Sequence, residues 1–143
     1  MDYAHTPDSL EKFYQTYAGK YRICVLGNTG GGRDKWKRPV MAGIAEKYCD
    51  EIILTNEDPY DENPETIIRE MAAGMKAKQP TLILDRRAAI RAALQKASKG
   101  DVILITGKGT DPFIMGPRGT KEPWDDATVA REELGKILAQ RNI

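Results

Sequence analysis

Four short apolar runs set the frame: RICVLG at 22–27, DEIILT at 50–55, TLILD at 81–85 and DVILITGKG at 101–109. Each is too short for a helix and reads as a strand, the first of the kind buried on both faces. Helix-spaced stretches lie between them. Val40, Met41, Ile44, Ala45 and Tyr48 recur at helical intervals, as do Ile67, Ile68, Met71 and Met75, and then Ile90, Leu94 and Ala97. Before the first strand, Thr6 caps a helix that Pro7 opens, with Leu10, Phe13, Tyr14 and Tyr17 on one side and Gly19 at its end. Asn63, Asp85 and one of Asp125 or Asp126 cap later helices, the last of which places Val129, Leu134, Ile137 and Leu138 in the core. Strands regularly separated by helices mean βαβ units. The expectation is a single α/β domain, a mostly parallel, doubly wound sheet with strands at 22–26, 51–54 and 102–105 and helices on both faces.

At 143 residues the chain can close one hydrophobic core. Lysine plus arginine (22) nearly cancels aspartate plus glutamate (21), which gives no electrostatic case for nucleic acid or an anionic membrane. No apolar run approaches the ~20 residues of a membrane span, and the polar start MDYAHTPDSLEK is no signal peptide. A cytoplasmic protein is expected, with Cys24 and Cys49 as free, buried thiols. Two cysteines and one histidine cannot build a zinc site of the usual kind, and no metal site is expected within the chain.

Ligands of such sheets sit at the carboxyl ends of the strands. Three loops leave strands there, at 27–35, 55–63 and 106–124, all rich in Gly, Pro, Asp and Arg. In the first, GNTGGGRDKWKRP, the glycines match neither a P-loop nor a dinucleotide fingerprint. Taken alone it is as well read as a flexible turn. Arg33, however, follows the glycines with a fork-shaped guanidinium suited to gripping a carboxylate. In the second loop Asn63 and Pro64 start a helix, which leaves Glu57 and Asp58 free to bind a cation or an ammonium group. Calcium is not favoured, because the EF-hand spacing is absent. In the third, Gly107 and Gly109 permit close backbone approach, Lys108 offers a point charge and Asp111 an acceptor, although a simple turn is the plain alternative.

These segments resemble, in order, the C-terminal domain of the Mur ligase family, in the type that adds the third residue of the peptidoglycan stem. DYAHTPD at 2–8 is the most specific match. A G-G-x-R-D-x-x-K-R-P loop appears at Gly31, Gly32, Arg33, Asp34, Lys37, Arg38 and Pro39. A D-N-P-R-like element appears at Glu57, Asp58, Pro59 and Tyr60. D-R-x-x-A-I follows at 85–90, G-K-G at 107–109 and D-D-x-x-V-A-R-E at 125–132.

The resemblance implies a Rossmann-like domain of an ATP-dependent amide-bond-forming ligase. Such an enzyme phosphorylates the carboxylate of a UDP-N-acetylmuramoyl-dipeptide, and the amine of a diamino acid then attacks the acyl phosphate. ATP and Mg2+ would be held mainly by a central domain, with its P-loop, that this chain does not contain. By resemblance, residues 1–143 correspond to the amino-acid-binding, ATP-lid domain alone, without the N-terminal and central domains. Such a domain carries no catalytic residue of its own and is expected not to ligate in isolation.

The resemblance assigns Arg33, Asp58, Tyr60, Gly107 and Asp111 to the amino acid, and Asp2 and His5 to the nucleotide. Asp58 and Tyr60 stand where the family has asparagine and arginine, and that arginine reads the distal carboxylate of meso-diaminopimelate. A free Asp58 without an arginine at 60 favours lysine or ornithine over meso-diaminopimelate. Against this, the long loop 112–123 could bring Arg118 to the place that Tyr60 leaves. Two other readings stand beside this one. The first is a non-catalytic amino-acid-binding module derived from the same domain. The second is a polyglutamate or cyanophycin synthetase, disfavoured by the DYAHTPD run.

Overall fold

A computed structural model describes residues 6–32, 35–109 and 111–141. Four parallel strands, β1 (Arg22–Leu26), β2 (Glu51–Leu54), β3 (Thr81–Leu82) and β4 (Val102–Ile105), lie in the order β3-β2-β1-β4. β1 is central, with Cys24 paired to Ile52 on one side and to Leu104 on the other. The helices are α1 (Pro7–Thr16), α2 (Lys37–Tyr48), α3 (Pro64–Ala72), α4 (Arg86–Lys96) and α5 (Asp126–Arg141). The expected α/β class and the strands expected at 22–26, 51–54 and 102–105 are observed. β3 is shorter than the TLILD run because it is an exposed edge strand.

Side chains alternate across the sheet and feed two cores. Cys24, Leu26, Ile52, Leu54 and Leu104 pack with Leu10, Tyr14, Met41, Ala45, Ile68 and Met71 from α1, α2 and α3. Ile23, Val25, Ile53 and Ile105 pack on the opposite face with Ala89, Ile90, Ala93 and Val129 from α4 and α5. The caps are those the sequence offers. Thr6 Oγ1 accepts from Ser9 N, Asn63 Oδ1 from Glu65 N, Asp85 Oδ2 from Ala88 N, and Asp125 Oδ2 from Thr128 N. No described helix is long and apolar enough to cross a membrane.

Three expectations need correction. Cys24 and Cys49 are not free thiols but a disulfide, joining β1 to the end of α2 across 25 positions of chain. Their Cα atoms lie 6.1 Å apart, a separation that only the tertiary packing of α2 on β1 creates. In α5, Leu134 and Leu138 face outward, and the buried position between them and Val129 is Glu133, held by Arg87 and Arg91 of α4. The long loop after β4 is not irregular: β5 (Phe113–Met115) and β6 (Lys121–Pro123) form an antiparallel hairpin around a short 3-10 turn, Pro117–Gly119.

Candidate functional site

The strand order fixes where a ligand can enter. The chain leaves β1 toward β2 on one side and reaches β4 on the other, so the loops after β1 and β4 diverge and open a crevice at the carboxyl edge. The loop after β2 lies beside them. These are the three loops singled out in the sequence.

Gly30 N donates to Asp58 O at 2.6 Å, and a Cβ on Gly30 would stand 2.1 Å from Pro59 O. Only glycine lets the first loop lie this close to the second. Thr29 Oγ1 donates to Glu57 Oε2 at 2.7 Å, and Gly32 N donates to Glu62 Oε1 at 2.7 Å. The ring of Tyr60 covers Gly31. The glycine-rich loop is therefore laid down along the 57–62 segment.

Beneath these loops the charges are committed. Arg38, fully buried at the start of α2, donates to Glu62 at 3.0 Å and to Glu70 at 2.6 Å. That guanidinium holds the Glu62 carboxyl below the usual range. Arg86 makes a bidentate pair with Asp126, both contacts at 2.9 Å, and also donates to Asn56 O and Thr106 O. One side chain thus ties the loop after β2, the end of β4 and the start of α5. Glu57 is buried against the crevice, and that burial pushes its carboxyl up.

Of the residues assigned in the sequence, the structure joins four. Lys108 Nζ lies 2.8 Å from Asp58 Oδ1 and 3.2 Å from Asp111 Oδ2, and also donates to Phe113 O. Asp58 Oδ1 further accepts from Met115 N at 2.9 Å. The expectation that Glu57 and Asp58 stand free for an ammonium group does not hold, because both are buried and already bonded. The ground for preferring lysine or ornithine is removed with it. Gly107 does permit a close approach, but the group that approaches is Glu57, whose Oε1 would lie 1.8 Å from a Cβ there. Tyr60 has φ 53° and donates its N–H to Met115 O at 3.1 Å. Arg33, Asp2 and His5 lie outside the described residues.

Sequence reasoning missed the roles of Lys108, Arg86 and Arg38 as buried anchors. The signal was present only as charged residues inside glycine-rich or helix-start segments, which also describes a solvated surface. It missed the hairpin too, although Phe-Ile-Met and Lys-Glu-Pro flank the turn signal Gly-Pro-Arg-Gly.

Residues 1–109 match the Mur ligase glutamate ligase domain. The chain belongs to the Mur ligase family. Among its Mur ligase relatives is a UDP-N-acetylmuramoyl-L-alanyl-D-glutamate–2,6-diaminopimelate ligase of Chromobacterium violaceum, 45% identical over 94% of this chain and 28% of the relative. The enzyme of the same name from Aquifex aeolicus is 43% identical over the same shares, and that from Coxiella burnetii 50% identical over 76% of this chain and 23% of the relative. A solved structure of a ligase so named superposes with a TM-score of 0.87 at 32% identity, covering 95% of this chain and 28% of that one. The chain thus spans about a quarter of the length of the Mur ligases it matches. The hairpin 113–123 lies beyond the matched domain profile, yet it is bonded into the same site.

Proposed function

We propose that this chain is the amino-acid-binding domain of an ATP-dependent ligase that joins 2,6-diaminopimelate to a UDP-N-acetylmuramoyl dipeptide in peptidoglycan synthesis. The observation that carries the substrate is the Lys108–Asp58 pair. It pairs the carboxylate of Asp58, which if free would have repelled a second carboxylate of the incoming amino acid. The names of the relatives point the same way.

In this reading Arg33 grips the α-carboxylate, and Tyr60 and Asp111 bound the far end of the pocket. Gly107 keeps the third loop flat against Glu57. The domain orients the amine and excludes water from it, and the attack is made on a carboxylate activated elsewhere.

ATP and Mg2+ belong to the activation step. No group of three or more His, Cys, Asp or Glu side chains able to hold a metal occurs among the described residues, and the glycine-rich loop lacks the Lys-Ser/Thr of a P-loop. The described residues do not fit either group, and no step is routed through them. Asp2 and His5 are proposed to approach the nucleotide when the domain closes on a central domain.

The test is ligation by the enzyme that carries this domain, with 2,6-diaminopimelate, lysine and ornithine in competition. Preferential incorporation of 2,6-diaminopimelate is expected, and preference for lysine or ornithine refutes the reading. The isolated chain is expected to hydrolyse no ATP.

A further inference from the structure

We propose that Arg118, at the tip of the β5–β6 hairpin, is the residue that reads the second carboxylate of the amino acid substrate. The assignment rests on the 2,6-diaminopimelate reading above, which requires two carboxylates to be met.

The buried cations cannot supply the second contact. Arg38 is paired with Glu62 and Glu70 through its terminal nitrogens, its buried Nε alone lacking a partner, while Arg86 is held by Asp126 and two carbonyls, and Lys108 by Asp58, Asp111 and Phe113 O. Each is shut away from solvent. Arg118 is different. Its side chain is exposed and makes no hydrogen bond or ion pair with a described residue, while its backbone is pinned.

The pinning is specific. Arg118 N donates to Asp61 Oδ1 at 2.7 Å, one residue beyond Tyr60, and Tyr60 N donates to Met115 O at 3.1 Å. Tyr60 and Arg118, with φ 53° and 55°, are the only non-glycine residues in the left-handed region among those described. That conformation costs roughly 1–2 kcal/mol for an ordinary L-residue. Both strained positions lie on the two sides of one contact, which the surrounding bonds over-determine.

The hairpin is therefore fastened along the 58–61 segment at three points: Asp58 with Met115, Tyr60 with Met115, and Asp61 with Arg118. It sets Arg118, with its exposed guanidinium, against the segment that carries the tyrosine, whose single hydroxyl cannot pair bidentately with a carboxylate. A guanidinium can.

The test uses the ligase carrying this chain, with Arg118→Asn and Arg118→Lys. Asparagine tolerates the left-handed conformation and keeps the N–H bonded to Asp61, so the hairpin is retained and an unchanged melting temperature verifies it. Loss of the charge-assisted contact should raise KM for 2,6-diaminopimelate on the order of 30-fold with little change in kcat, and leave KM for lysine unchanged. Arg118→Lys should recover only part of the loss. A wild-type enzyme that uses 2,6-diaminopimelate, with the same preference retained in Arg118→Asn, overturns this assignment alone. A wild-type enzyme that rejects 2,6-diaminopimelate overturns the substrate reading and this assignment together.

Discussion

Lys108 Nζ stands 2.8 Å from Asp58 Oδ1, across 50 positions of sequence, and the lysine side chain is wholly closed to solvent. The pair joins the loop after β4 to the loop after β2, and so fixes the width of the crevice between them. Removing either partner alone should be worse than removing both, because a buried charge without its counter-charge bears the full cost of desolvation. Lys108→Met is expected to lower unfolding stability by about 3 kcal/mol. The double variant Lys108→Met, Asp58→Asn should recover much of it in urea titrations. Additive losses would mean that the two charges are not coupled.

Gly107 meets Glu57 so closely that a methyl group has nowhere to go, and its φ of +106° disfavours any side chain. Gly107→Ala should destabilise by about 2–3 kcal/mol, within the range for forcing a residue into a disallowed backbone region. Adding Glu57→Ala should relieve the collision but not the backbone strain. Full rescue in thermal melts would show that the dihedral costs nothing.

The disulfide makes a direct chemical prediction. Protein purified and denatured without reductant should present no titratable thiol, and reductant should expose both Cys24 and Cys49. Replacing both with alanine should lower stability by about 3–4 kcal/mol, from the loop-closure entropy of a ring this size. That corresponds to a drop in melting temperature of roughly 10 °C. Two free thiols in the native protein would contradict it.

Glu133 sits between Arg91 and Arg87, which hold its carboxyl down to about 2. A depressed folded-state value stabilises the protein above the ordinary glutamate range, and the benefit is lost as pH falls from there toward 2. Glu133→Gln should therefore flatten the acid limb of the stability–pH curve in that window and leave its shape above it unchanged. An acid limb identical to that of the wild type would remove Glu133 as the cause.

The sheet is legible because its strands are continuous apolar runs and its helices begin at recognisable caps, as at Thr6, Asn63 and Asp85. The site is legible only as a set of loops. Asp58 looks like a ligand for ammonium until Lys108 is seen to neutralise it, and nothing local links two residues so far apart. Glu133 misleads in the opposite sense. Hydrophobicity assigns Leu134 and Leu138 to the core, whereas two arginines of α4 make the carboxylate the buried group. The hairpin escapes notice because its strands are three residues each, too short to display a two-residue period.

The position of β1 at the centre of the sheet also dictates an order of assembly. β1 is made before its partner β4, which lies some eighty positions downstream, and the hairpin bonded to the 58–61 segment follows later still. Such distant pairings are slow, because loop closure must precede the contacts that reward it. A chain emerging from the ribosome can form α1, β1, α2 and β2 and still have no crevice, since one wall is unsynthesised. Competence to bind should therefore appear abruptly, with the last third of the chain, rather than grow in proportion to length.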